Sequence, residues 1–121
     1  MSNCITMTVP ARVDVLNVVR LTTAGIAVSG QTDFETMEDI KTAVYEGCYA
    51  MSVQKYAPER LELCFKLDGA FHVTITGQGR LRETDGRMPD LDLCNAVLTT
   101  MIENVSVNVD RKGIRSIEMH A

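Results

Sequence analysis

The sequence predicts a two-layer α/β sandwich, in which a mostly antiparallel sheet of about five strands carries three helices on one face. Apolar residues recur at steps of three and four within residues 13–28, 32–56 and 90–104, which is the period of a buried helix face. Residues 61–67 instead alternate apolar and polar side chains, which is the period of a strand. The order of elements is therefore β, α, α, β, β, α, β, β.

The remaining predicted strands are short and are bounded by turn residues. Pro10 stops the first of them and cannot donate to a neighbour, so we expect that strand at a sheet edge. Asp68 and Gly69 predict the turn of a central hairpin. These strands are residues 4–9, 71–76, 105–109 and 114–119.

Polar residues mark where the helices begin. Thr32 and Glu35 have the spacing of a capping box, so they predict the start of the second helix. Asp90 or Asp92 is expected to cap the third helix. The polar, turn-rich residues 80–89 that precede it predict an exposed loop.

Length and composition limit the function classes. A chain of 121 residues with 45% hydrophobic residues fits a single domain, residues 1–121. A net charge of −4 and only three tyrosines and three phenylalanines argue against a nucleic-acid partner. Because no apolar run approaches the roughly 20 residues that span a bilayer, we expect a soluble, cytoplasmic protein without a membrane partner.

The cysteines form no CxxC pair, and we interpret them as buried thiols in a reducing compartment. A disulfide framework or a zinc site is the alternative. Only His72 and His120 could complete a zinc ligand set, and neither has metal-ligand spacing, so no metal site is expected. The cysteines are Cys4, Cys48, Cys64 and Cys94.

Glu46 is the candidate catalytic residue. It lies two residues after Val44 and two before Cys48, at the border of the apolar stripe of the second helix, where a carboxylate can line a cleft. One helical turn further on stands Ala50, which has no polar group. The alternative interpretation is an ordinary helix glutamate that is solvated or paired to a lysine.

The order of elements and three strings resemble the anti-sigma-factor serine kinases of the GHKL superfamily of ATPases, which also contains histidine-kinase catalytic domains. The strings are VPARVDVLNVVRLTTAGIA, FETMEDIKTAVYEGCYAMSVQKY and LTTMIENVSV. The similarity spans nearly the whole chain. It implies the histidine-kinase-like, or Bergerat-type, ATPase fold.

The resemblance also implies a nucleotide pocket on the second helix. In this family a Glu that orients the attacking group is followed four residues later by an Asn that holds magnesium against ATP. These positions match Glu46 and Ala50. Because Ala50 offers no oxygen to a cation that requires oxygen ligands, the magnesium ligand is missing.

Two further family motifs depart from the pattern in this chain. The Asp-x-Gly string that recognises adenine matches Gly77, Gln78 and Gly79, so the carboxylate is absent. The Gly-x-Gly that closes on the phosphates at a helix N-terminus matches the run from Asp92 to Cys94, where both glycines are replaced. The segment 80–89 is also short for the lid that covers ATP.

These departures predict a pseudokinase, a regulatory protein that binds a sigma factor or an anti-anti-sigma protein and uses neither ATP nor magnesium. Arg20 matches a first-helix arginine that contributes to partner contact in relatives, although a solvated surface arginine is the alternative. The resemblance also favours a homodimer.

Two other functions stay open. One is a divergent but active ATP-dependent serine kinase or ATPase, with Glu46 as base and with magnesium held by water, Gln78 or the nucleotide. In that case Ser52 and Gln54, near the end of the second helix, would be additional contributors. The other is a structural module that dimerises through its sheet or its first helix.

Overall fold

The computed structural model describes residues 4–68 and 70–121. Within that part of the chain, a short 3-10 turn at Val13–Val15 precedes the first helix. In chain order the other elements are β1 (Cys4–Pro10), α1 (Leu16–Ser29), α2 (Phe34–Val53), β2 (Tyr56–Ala57), β3 (Arg60–Asp68), β4 (Ala70–Gln78), β5 (Arg82–Glu83), α3 (Leu91–Thr99), β6 (Asn104–Asp110) and β7 (Gly113–His120).

The predicted α/β sandwich is confirmed over the described residues. Five strands form an antiparallel sheet in the order β1-β3-β4-β7-β6, so β1 lies at an edge as predicted. α2 packs against β4 and β7, α1 lies beside α2, and α3 lies against β6. Asp68 pairs with Ala70 across the central hairpin, while Gly69 of the predicted turn lies outside the described residues.

The layer between sheet and helices is the hydrophobic core. The strands alternate, so that every second side chain of β4 is buried toward the helices. The apolar residues of α2 at steps of three and four are buried from Ile40 to Met51 as predicted, whereas Phe34 is exposed and Met37 is half-buried. The largest fully buried side chains are Phe65, Leu16, Ile40, Met51, Leu61, Leu63, Ile75, Leu98, Ile114, Ile117, Val19 and Val44.

The cap of α2 differs from the predicted Thr32–Glu35 capping box. Asp33 is the N-cap, and its carboxylate accepts hydrogen bonds from the Thr36 N–H at 2.8 Å and from the Thr36 hydroxyl at 2.9 Å. The Thr36 hydrogen bonds hold the pKa of Asp33 below its ordinary value. An aspartate one residue closer to the helix therefore replaces the predicted threonine.

α3 is shorter than predicted, because it ends at Thr99 rather than near residue 104. The hydroxyl of Thr99 donates to the Asn95 carbonyl at 2.8 Å, and that of Thr100 donates to the Val97 carbonyl at 2.6 Å. Such hydroxyls compete with the helical backbone. Asn104 then begins β6.

The exposed side of α3 also differs from the prediction. The apolar pattern of residues 90–104 includes Leu93 and Val97, but they are 61% and 39% exposed, whereas Leu98 and Ile102 are buried. α3 therefore contributes little of its surface to the core.

Residues 80–89 are largely exposed, as the predicted loop required, but they are not irregular throughout. They contain β5, which pairs with β2, and the Thr84 hydroxyl donates to the Gln54 carbonyl at 2.9 Å. The Lys55 N–H donates to the Arg87 carbonyl at 2.9 Å. Gly86 lies so close to the end of α2 that a Cβ at this position would collide with the Val53 carbonyl. Hydrogen bonds therefore hold this segment against the end of α2.

The prediction of four buried thiols holds only for Cys48 among the four cysteines. Cys4 and Cys64 are half-buried and form a disulfide between β1 and β3, with their Cα atoms 5.9 Å apart. They lie 60 residues apart in the sequence, and only the pairing of the two strands brings them together. Cys48 is a buried free thiol, and Cys94 is free and half-buried.

No helix within the described residues is both long and apolar enough to cross a membrane.

The side-chain amide of Gln54 forms hydrogen bonds that connect the end of α2 to β7. Its oxygen accepts from the Ile114 N–H at 2.8 Å, and its nitrogen donates to the Ile114 carbonyl at 3.0 Å and to the Met51 carbonyl at 3.2 Å. Gln54 is only 2% exposed. Gly113, with φ of +126°, leaves room for this amide, because a Cβ there would collide with the amide oxygen.

We expect Gln54→Ala to lower the free energy of unfolding by about 2–4 kcal/mol, because it leaves buried polar groups of Ile114 without a partner. Urea denaturation followed by circular dichroism measures the change. Gln78→Ala is the control, since it removes the same amide from a half-buried strand position, and it should change stability by less than about 0.5 kcal/mol. Equal effects of the two substitutions would contradict the role given to Gln54.

Candidate functional site

A cavity of about 330 Å³ lies between the C-terminal half of α2 and the start of α3. Most of its wall is apolar, and a few polar groups converge on it, which is typical of a ligand-binding pocket. The lining residues are Glu46, Tyr49, Ala50, Val53, Gln54, Arg87, Pro89, Asp90, Leu93, Cys94, Val97 and Leu98.

Glu46 lies in this cavity, half-buried, with Ala50 beside it one helical turn further on. Within the described residues its carboxylate has no ion pair, whereas Lys41 pairs with Glu38 at 3.0 Å. Of the alternative interpretation, the lysine pair is absent from the described structure, and the solvated helix glutamate stays open. Glu46 supplies a free carboxylate to a wall that is otherwise mainly apolar.

Cys94 approaches Glu46 from α3. Burial raises the pKa of the Cys94 thiol, and the negative charge of Glu46 raises it further. The thiol is therefore kept protonated, because burial and the neighbouring carboxylate both disfavour a thiolate. Its side chain fills part of the space beside the α2 wall.

The N-terminus of α3 is capped by its own chain. Asp90 accepts a hydrogen bond from the Leu93 N–H at 3.0 Å and lines the cavity. An anion that bound this helix end would compete with the Asp90 carboxylate for the same N–H and would meet its negative charge. Asp92 is exposed and lies outside the lining.

The chain is 32% identical to the serine-protein kinase RsbW of Halalkalibacterium halodurans over 123 aligned positions, which cover 88% of this chain and 76% of that relative. The chain belongs to the RsbW family of serine-protein kinases. This relationship assigns it the GHKL-type fold that the resemblance implied. No family model matches the chain.

Three RsbW-family positions that sequence reasoning assigned to the nucleotide pocket lie outside the cavity. Gly77 and Gln78 end β4 and Gly79 follows it, and none of the three is among the lining residues. A Cβ at Gly77 would lie 3.0 Å from Cγ of Pro58, so a side chain there would require the proline ring to shift by a few tenths of an ångström. Gly79 has φ of +86°, a conformation that favours glycine.

Two polar residues proposed for an active RsbW-type site are engaged elsewhere. The Ser52 hydroxyl is buried and donates to the Cys48 carbonyl at 2.8 Å. The Gln54 amide is held by Ile114 and Met51. In the described part of the chain, no three His, Cys, Asp or Glu side chains are grouped so that they could hold a metal ion. The residues present therefore do not fit a magnesium ion held in the family manner.

Arg20 is packed rather than freely solvated. Its guanidinium lies 4.3 Å from the ring centroid of Tyr45, a cation–π contact worth about 0.5–2 kcal/mol. Tyr45 in turn stacks on Tyr49, with centroids 6.5 Å apart and an interplanar angle of 17°. Because Tyr49 lines the cavity, this stack joins α1 to the cavity wall.

Sequence reasoning missed Tyr49 and Arg87 as lining residues. Tyr49 is three residues after Glu46, so helical spacing placed it on the same side of α2. Arg87 had no such signal, because the hydrogen bonds of residues 80–89 to the end of α2 place it there.

We expect Glu46→Gln to lower the pKa of Cys94, since the substitution removes the negative charge that opposes its thiolate. The pH profile of Cys94 alkylation by iodoacetamide, followed by mass spectrometry, should then shift to lower pH. Cys48, with a pKa raised to about 12 by burial, should stay unmodified in the folded protein. Glu35→Gln at the exposed start of α2 is the control. An unchanged profile in Glu46→Gln would show that the two side chains do not interact.

Proposed function

We propose that this chain is a regulatory protein of the anti-sigma-factor type that acts through protein contacts and no longer binds ATP with magnesium. The observation that carries the proposal is Ala50, which faces the cavity beside Glu46 where a magnesium ligand would have to stand. A methyl group cannot coordinate a hard cation. Glu46 alone then lacks the metal that would neutralise the phosphates.

The N-terminus of α3 supports the same conclusion. Phosphates bind helix N-termini through free N–H groups, but the Asp90 carboxylate already accepts from the Leu93 N–H. Asp92 adds a second negative charge in the first turn. Both charges oppose a triphosphate.

The end of β4 supports the absence of an adenine contact. The position matched to the adenine-binding carboxylate is Gly77, and Pro58 lies against it. The proposal therefore rests on three separate places in the fold, namely Ala50, the α3 N-terminus and Gly77.

The proposed partners are a sigma factor or an anti-anti-sigma protein, met in the cytoplasm, and the active form is proposed to be a homodimer. Arg20 is a suitable contact residue because Tyr45 holds its guanidinium in place. Val18 and Leu21, on the same helix, are 54% and 72% exposed. An arginine that stacks on an aromatic ring and lies beside exposed apolar residues is typical of a binding hot spot.

One observation favours an active kinase as the second candidate. Glu46 keeps a carboxylate without an ion pair in the described structure, in a cavity large enough for a small ligand. A divergent enzyme would use it as the base.

A nucleotide titration separates these two functions. We expect calorimetry to show no magnesium-dependent ATP binding tighter than about 1 mM, which corresponds to about 4 kcal/mol. The RsbW kinase of Halalkalibacterium halodurans serves as positive control. Micromolar, magnesium-dependent binding that Glu46→Ala abolishes would overturn the proposal in favour of the kinase.

Partner binding tests the role of Arg20. We expect a sigma factor or an anti-anti-sigma protein from the same cell to bind the purified chain, and Arg20→Ala to weaken that binding about tenfold, or about 1.4 kcal/mol. Arg12→Ala is the matched control, because Arg12 is exposed and pairs only locally with Asp14 at 3.1 Å. Surface plasmon resonance gives both affinities. Equal affinities of the two variants would remove Arg20 from the interface.

A further inference from the structure

Two lysines that are far apart in the sequence lie over the same aromatic ring. Nζ of Lys55 is 5.6 Å from the ring centroid of Tyr56, and Nζ of Lys112 is 5.3 Å from it. Both distances are within the limit of about 6 Å for a cation–π contact. Tyr56 is half-buried in β2, so its ring holds both ammonium groups at one place on the surface.

Contacts between the end of α2 and the start of β7 bring these side chains together. The Gln54 amide bonds to Ile114, and a guanidinium nitrogen of Arg115 donates to the Tyr56 carbonyl at 3.2 Å. The turn that precedes β7 therefore lies beside β2. That turn carries two exposed cationic residues, Arg111 and Lys112.

The neighbouring carboxylates do not neutralise the cations of this region. Asp110 lies 3.5 Å from Nε of Arg115 and accepts the Lys112 N–H at 2.8 Å, so it is already engaged. Glu83 lies opposite β2 in β5 and is exposed. In the described part of the chain, neither Lys55 nor Lys112 has an ion pair with any carboxylate. The region therefore has a local positive charge in a chain whose net charge is −4.

We propose that Lys55, Tyr56, Arg111 and Lys112 form a basic surface that binds an acidic segment of a partner protein. Carboxylates bind the two ammonium groups that the ring holds near each other, and their negative charge relieves the repulsion between these groups. Because the ring already restricts both lysine side chains, less side-chain freedom is lost when the segment binds.

The size of the basic surface fits a short run of aspartate or glutamate rather than a nucleic acid. It has three cationic side chains, and the excess of negative charge on the rest of the chain repels a long phosphate backbone. The next charged residues in segment 80–89, Asp85 and Arg87, have opposite charges and do not extend it. No residue of the basic surface lines the cavity beside Glu46, so the proposal does not depend on the proposed function.

Binding of a labelled acidic peptide to the full chain tests the basic surface. We expect fluorescence anisotropy to show saturable binding of rhodamine-labelled hexaglutamate, and much weaker binding of hexaglutamine, which has the same length without the charge. Lys55→Gln and Lys112→Gln should each weaken hexaglutamate binding about threefold, and the double variant about tenfold, since exposed charge pairs contribute modestly. Added salt should also weaken the binding.

Lys66→Gln is the matched control, because it changes the net charge equally. Lys66 is exposed toward the other end of β3 and has no ion pair in the structure over the described residues. This variant should bind hexaglutamate as tightly as the unchanged protein. Tyr56→Phe keeps the ring and should also bind normally, whereas Tyr56→Leu should bind more weakly.

Two results would overturn the basic surface as a docking site. One is the absence of saturable hexaglutamate binding. The other is an equal loss of affinity in Lys66→Gln and in the Lys55 and Lys112 variants, which would mean that only the net charge matters. Tighter binding of hexauridylate than of hexaglutamate would overturn the assignment to a protein segment, because phosphates would then be the preferred anions.

Discussion

The buried amide of Gln54 is the contact on which the geometry of this molecule depends. It satisfies the N–H and the carbonyl of Ile114 at the start of β7, and so it fixes the end of α2 over the sheet. The residues that follow Gln54, including β2, form hydrogen bonds with the segment 80–89. That segment leads directly into α3. A buried amide is costly unless its hydrogen bonds are satisfied. The end of α2 is therefore held at the position where the Gln54 amide can bond to Ile114. The cavity between α2 and α3 is a consequence of that position.

The same cavity contains the Glu46 carboxylate, a protonated thiol, a capped helix end and the side chain of Arg87. Glu46 is the acidic group at its α2 wall, and Cys94 and Asp90 approach from the other side. Asp90 disfavours an anion at the start of α3, because it occupies a helix N–H and carries a negative charge. The RsbW-family fold is thus retained around a cavity that is lined by two carboxylates and one arginine.

Apolar periodicity predicted the three helices and β3, because burial on one face of an element sets the spacing of its apolar residues. Turn residues and β-propensity predicted the other four long strands. Helical spacing also placed Ala50 one turn after Glu46 on the same side of α2. Local patterns could not predict contacts between segments that are distant in the sequence. The Cys4–Cys64 disulfide, the pairing of β2 with β5 and the stack of Arg20 on Tyr45 all depend on which strands and helices become neighbours. The end of α3 was missed because threonine hydroxyls at its last turn outweigh a continuing apolar pattern.

The contact between Gly77 and Pro58 links two positions that are far apart in the sequence. A side chain at position 77 would bring its Cβ to within 3.0 Å of Cγ and 3.1 Å of Cβ of the Pro58 ring, so the ring would have to shift by a few tenths of an ångström. The cost of any substitution at Gly77 is therefore set by the residue at position 58. Substitutions at these two positions are energetically coupled, and their effects on stability should not be additive.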